Sequence, residues 1–255
     1  MSPKPNLSPF LARKGDRRMV ELKNLSADSG PLKGRVIQVL DKGFVQLLDY
    51  IGSDQRILDA ARVSTGARGG DAEKDRRLIF FLMENKHGTP FEHLVFQFLI
   101  KCPIFVARQW MRHRVASYNE RSARYRVFRE EFYVPSLEDV PDIFDEADLQ
   151  EYEEVLKQEH AFYQRMIEKA KPHKELRKRT REIFRGVLGT SYYTEFYWTL
   201  NFRALMNFLD LRTGEGAQPE IRKYALAISS MARELAPLAY EAFDKYTLGA
   251  AQPHA

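Results

Sequence analysis

Apolar residues fall into regular periods only from about residue 36. Residues 1–34 scatter Pro, Gly, Ser and Lys/Arg without one, which predicts a loosely ordered N-terminal extension with little core of its own. Val36 to Leu40 and Phe44 to Ile51, separated by Asp41, Lys42 and Gly43, predict two strands joined by a glycine turn. Asp54 is placed as the N-cap of a helix carrying Ile57, Leu58 and Ala61. Asp71 caps a second helix to about Lys86, with Leu78, Phe81 and Leu82 on its apolar side. Leu94 to Ile100 is apolar at both alternating sets of positions and predicts a central, buried strand. Pro103 suits the first position of a helix that would carry Gln109, Arg112 and His113 on one face.

Phe132 to Val134 reads as a short strand, Asp142 to about Lys171 as a long charged helix, and Lys174 to Leu188 as a basic one. Ser191 to Leu200, dense in Tyr and Trp, predicts another strand. Asn201 caps a helix with Arg203, Asn207 and Leu211 along one face. Pro219 opens a last helix, bent at Pro237, before a frayed tail over residues 249–255. Few strands among many helices, without strict alternation, predict an α+β single domain over residues 35–248, with a small, mostly antiparallel sheet and several long helices.

Composition narrows the class. A chain of 255 residues with 44% hydrophobic content has enough apolar material for a real core. The single cysteine, Cys102, excludes an internal disulfide framework and a Cys-rich zinc site, and it reads as a buried, inert thiol. No signal peptide and no apolar run near the ~20 residues of a membrane span is found, so the expectation is a cytoplasmic protein without membrane contact. The formal charge of +5 points to anionic partners.

Where that charge sits matters more than its sum. Residues 112–125 hold four arginines, a histidine, two serines, an asparagine and one carboxylate. Arginine forks of this kind suit phosphate, carboxylate or a pyrimidine carbonyl edge. Gly66 to Gly70 is not a P-loop, because the lysine and hydroxyl that should follow it are missing, and no G-x-G-x-x-G follows a strand. His87, Glu92 and His93 are spaced to meet an ion within one turn, but H-E-x-x-H is absent, and turn stabilisation or cofactor contact is the expectation, with no metal. Ser122 near Glu120 and His113 invites a nucleophile, yet no G-x-S-x-G turn supports one, and phosphate binding is the simpler use. The arginines from Arg108 to Arg129, interleaved with Tyr118, Tyr125 and Phe128, leave a non-enzymatic single-stranded nucleic-acid binder as an alternative.

The phrase RHRVASYNERSARY closely resembles the R-H-R-x7-S signature of flavin-dependent thymidylate synthases, with Ser122 as the signature serine. AARVS at 60–64, TPFEH at 89–93, and NFRALMNFLDLR followed by Gln218 resemble the same family in the same order, so the resemblance spans about residues 36–246. It implies a homotetramer without a Rossmann fold, whose FAD and dUMP sites are shared between subunits. It also implies reductive methylation of dUMP to dTMP, with methylenetetrahydrofolate as carbon donor, NADPH as reductant and the hydride delivered by reduced flavin. Nucleic acid and membrane would not be partners.

Carried over by position, the resemblance assigns Ser64, His87, Thr89, Glu92, Arg112, His113, Arg114, Asn201, Arg203, Asn207 and Gln218 to flavin binding. Gln109, Arg112, Glu120, Ser122, Ala123, Arg124, Arg185 and Arg212 are assigned to the nucleotide, with Arg112, Arg212 and Ser122 as the catalytic set. Arg124, Arg185, Ser122 and the Ala123 amide would hold the phosphate, while Arg112 and Arg212 would polarise the uracil carbonyls. Two positions depart from the family pattern: Ala123 stands where glycine is frequent, and Gly189 where proline is.

Overall fold

The computed structural model describes residues 32–248 apart from 65, 67 and 68. Among the described residues, β1 (Val36–Val39), β2 (Gly43–Ile51), β3 (Val95–Pro103), β4 (Ser117–Glu120) and β5 (Tyr193–Asn201) form one antiparallel sheet in the order β1-β2-β3-β5-β4. The α+β class and the antiparallel sheet match the expectation from the sequence. The expected tail over 249–255 lies outside the described residues, as does the expected extension over 1–34 except for Leu32 to Gly34. Leu32 is already buried in the core.

β3 is the middle strand, as its apolar pattern predicts. In its register Phe96 faces Leu200, Phe98 faces Trp198 and Ile100 faces Phe196, and all six side chains are buried. The other face is less covered than expected: Val95, Gln97 and Leu99 are only half-buried, and Gln97 donates to the Thr199 hydroxyl at 3.3 Å. A period of two sends alternate side chains to opposite faces, and here only one face meets the helical layer. That layer contains α6 (Phe202–Thr213) and α7 (Pro219–Leu235), which bury Leu205, Phe208, Leu209, Ile221, Tyr224 and Ile228 against the sheet.

Several predicted caps shift. Ser53, not Asp54, stands at the N-cap of α1 (Asp54–Arg62). The Asp54 carboxylate instead accepts the N–H groups of Leu238 and Ala239, both at 2.9 Å, and so caps α8 (Pro237–Phe243) from across the fold. The predicted bend at Pro237 is a full break, because the residue before a proline is pushed out of the helical region, and Ala236 sits at φ −139°. Asp71 does cap α2 (Ala72–Glu84), accepting the Lys74 N–H at 2.8 Å. Its buried side is Ile79, Leu82 and Met83, whereas Phe81 is exposed.

The long helix α4 (Glu146–Lys169) begins four residues later than expected, where Asp145 and Asp148 form a reciprocal capping box. Its Leu156 joins Phe132 and Tyr192 in a second small core, and α5 (Arg177–Phe184) packs against α4. The predicted strand at Phe132 is a single bridge to Tyr192.

Candidate active site

The site is built around the end of α3 (Ile104–Trp110). Pro103 closes β3 rather than opening the helix, and the helix stops at Trp110, earlier than predicted. Trp110 is fully buried among Phe196, Trp198, Phe208 and Tyr224, with ring centroids 4.9–5.7 Å away, and this packing fixes the exit direction of the chain. Arg112 and His113 follow in a turn, their N–H groups donating to the carbonyls of Gln109 at 3.3 Å and Trp110 at 3.0 Å. The Tyr118 hydroxyl donates to the His113 carbonyl at 2.8 Å and pins the turn from β4.

Eight of the residues assigned above converge on one cleft of about 530 Å³: Glu92, Arg112, His113, Arg114, Asn201, Arg203, Asn207 and Arg212. Its apolar wall includes Trp198, Leu200 and Leu211. Four guanidinium groups against one carboxylate make it an anion-attracting cleft, while the apolar wall suits a ring. The helix α6 supplies much of it. Asn201 caps that helix by accepting the Ala204 N–H at 2.9 Å, and Arg203, Asn207 and Leu211 then project from its exposed face. Arg203 donates to Glu92 at 2.6 Å, so two residues assigned separately to the flavin are paired. Gly88 makes room for that pair, since a Cβ there would stand 2.8 Å from Arg203 Nε. The donors and the apolar wall fit an anionic cofactor with a large ring system.

His113 accepts from Arg212 Nε at 3.1 Å through Nε2, which assigns its proton to Nδ1. Burial and the Arg212 charge lower its pKa from 6.5 to about 4, so the imidazole is neutral at physiological pH. Arg212, assigned to the nucleotide, thus lies in the same cleft as the residues assigned to the flavin.

The remaining assigned residues lie elsewhere on the chain. Four-residue β4, rising roughly 3.3 Å per residue, leads from the Arg112–Arg114 turn to Glu120, its last residue. Glu120 accepts the Thr194 hydroxyl at 2.7 Å. Ser122 and Ala123 line a small depression of about 30 Å³ with Arg121, Arg126 and Arg129. The Ser122 hydroxyl oxygen accepts the Arg124 N–H at 3.3 Å. Arg124 reaches away from that depression and donates to Glu182 at 2.9 and 3.0 Å, while Arg181 donates to the Arg124 carbonyl at 3.1 Å. Arg185 caps α5. Gln109 and Gln218 are hydrogen-bonded to one another.

Ser64 donates to the Ala61 carbonyl at 3.0 Å on an exposed turn. His87 lines a neighbouring cavity of about 280 Å³ that shares Arg203 and Asn207 with the cleft. Thr89 is exposed in the 3-10 turn Thr89–His93. Among the described residues no group of three His, Cys, Asp or Glu side chains could hold a metal ion, and no helix is long and apolar enough to cross a membrane. Sequence reading missed Glu182 and Thr194, which hold Arg124 and Glu120. The spacing of Arg179 and Glu182 at i, i+3 signals only a local pair, and the contact with Arg124 is long-range.

The chain is similar over residues 46–238 to the family described as thymidylate synthase complementing protein. The flavin-dependent thymidylate synthase of Thermotoga neapolitana is 48% identical over 212 residues, covering 82% of this chain and 94% of that protein. The flavin-dependent thymidylate synthase of Thermus thermophilus is 42% identical over 229 residues, covering 86% of this chain and 81% of that protein. Among solved structures, the UMP/dUMP methylase PolB from Streptomyces cacaoi bound with 5-Br dUMP is similar with a TM-score of 0.72 and 34% identity, covering 83% of this chain and 98% of PolB.

Proposed function

The chain belongs to the thymidylate synthase complementing protein family, whose relatives are flavin-dependent thymidylate synthases, and from this we propose that it makes dTMP by reductive methylation of dUMP. The observation that carries the reading is the convergence of Arg112, His113, Arg114, Asn201, Arg203, Asn207 and Arg212 on one cationic cleft with an apolar wall. Those residues other than Arg212, with Glu92, would hold FAD. When bound, the flavin supplies the reducing equivalents.

The protein's own contribution is binding and electrostatics. Arg112 and Arg212 polarise the uracil carbonyls and stabilise negative charge that develops on the ring. Neutral His113 accepts from Arg212 and so orients that guanidinium without adding a competing positive charge. Ser122, the Ala123 amide, Arg124 and Arg185 bind the phosphate, with Gln109 and Glu120 on the nucleotide. We take Ser122 as a phosphate ligand and not a nucleophile, a reading supported by the arginines Arg121, Arg126 and Arg129 that line the same depression. Ser64, His87, Thr89 and Gln218 complete the flavin site from further segments. We read the dispersal of these groups as the mark of sites closed between subunits of a homotetramer, with methylenetetrahydrofolate and NADPH as cosubstrates and the cytoplasm as location.

The test is dTMP formation from dUMP, methylenetetrahydrofolate, FAD and NADPH, with each omitted in turn. Product in the absence of flavin sinks the reading. So does a colourless protein that FAD cannot reconstitute and that binds long polynucleotides instead. PolB is named for UMP as well as dUMP, which favours a second reading in which UMP is also a substrate. UMP run in parallel with dUMP decides it.

A further inference from the structure

A larger cavity, of about 770 Å³, lies away from the cationic cleft, between the first half of α4, the segment from Tyr133 to Phe144, and the first turn of α7. Its lining reverses the character of the rest of the molecule. Asp139, Asp148, Glu151 and Glu220 line it and no lysine or arginine does, in a chain of net charge +5. Phe105, Tyr133, Phe144 and Tyr152 supply aromatic walls.

Two of the four carboxylates are committed. Asp139 takes Lys223 and the Ser136 hydroxyl, and Asp148 belongs to the capping box of α4. Glu220 is different: its Oε2 is buried without a hydrogen-bond partner. A buried carboxylate oxygen left so carries a large desolvation cost unless a cation or donor meets it. Tyr133 gives an independent sign. It is 4% exposed, it lines the same cavity, and its hydroxyl also has no partner. Burial, with the charges of Asp139, Glu220 and Asp41, raises its pKa, so it stays a neutral phenol able to donate or accept. Buried polar groups are paired in the great majority of cases. Two unpaired ones lining one cavity, among aromatic rings and carboxylates, describe a receptor for a positive charge on an apolar body.

We propose that this cavity is a second ligand site, which takes a small organic cation bearing an amine, amidine or guanidinium group on an aromatic or aliphatic frame. Glu220 and the Tyr133 hydroxyl receive the cationic head, and the rings of Phe105 and Tyr152 flank the frame. The methylation reaction proposed above uses no such cation as substrate, and of the residues assigned to that reaction only Gln218 also lines this cavity.

Benzamidine is the probe, titrated calorimetrically into the full-length protein saturated with FAD, beside the neutral isostere benzamide and the anion benzoate. The site predicts one benzamidine per chain, benzamide at least tenfold weaker, and no benzoate binding. Glu220→Gln and Tyr133→Phe should each weaken benzamidine at least fivefold while melting within a few degrees of the wild type and retaining FAD affinity. Equal binding of benzamidine and benzamide, or unchanged affinity in both variants, overturns the proposal. So does absence of benzamidine binding; if Glu220→Gln then also dissociates the oligomer, this wall is a contact between copies of the chain.

Discussion

At His113, burial and the Arg212 guanidinium act in the same direction, and both penalise the imidazolium. The folded state therefore binds fewer protons than the unfolded chain between the ordinary histidine pKa of 6.5 and about 4, so stability falls as pH drops through that window. His113→Asn should flatten this dependence in thermal melts taken from pH 7 to 5. The slope will not vanish, because buried His160 is shifted the same way. Identical slopes for wild type and variant would mean that His113 does not carry the effect. Ser122 bears a different load. A hydrogen bond to a charged group contributes about 1.5–3 kcal/mol, so Ser122→Ala should raise the dUMP KM roughly tenfold or more by the same principle while leaving measurable turnover. Complete loss of chemistry with dUMP binding intact would return the serine to the nucleophile's role.

At the scale of elements, the break at Ala236 and the capping of α8 by Asp54 tie the start of the first helix to the last one. Removing a helix-capping carboxylate costs about 1–2 kcal/mol, so Asp54→Ala should lower Tm by roughly 2–8 °C for a domain of this size. Asp54→Asn, which keeps an acceptor oxygen, should recover part of that. A variant that melts with the wild type would show that solvent serves the two N–H groups equally well. The element β4 has a parallel function for the site. It pairs with β5 and holds the Arg112–Arg114 turn at one end and the Ser122 loop at the other, so neither half can be moved without changing the register.

For the whole molecule, that spacing leaves residues assigned to the flavin and residues assigned to the phosphate in two separate groups on one chain, lining different depressions. If subunits complete one another, an Arg203→Ala/Asn207→Ala chain and an Arg124→Ala/Arg185→Ala chain, each inactive alone, should regain dTMP synthesis when mixed and allowed to exchange. Mixed oligomers seen by native mass spectrometry without regained activity would show instead that each chain completes its own site.

The sequence by itself determined β1, β2, β3 and β5, the central place of β3, the caps at Asp71 and Asn201 and the segments that carry the chemistry, because these depend on periodicity and on contacts within a few residues; β4, four mostly polar residues without an apolar alternation, showed only in the structure. Even the grouping of Arg203 and Asn207 was legible, since i, i+4 positions share a helix face. Only the tertiary structure decided that Asp54 caps α8, that Trp110 ends α3 among four buried rings, that Arg212 rests on His113 and that Arg124 is held by Glu182. Those pairings join residues 58 to 185 positions apart. No local pattern encodes a partner at that distance; it emerges when the sheet register and the helix packing bring the two segments together.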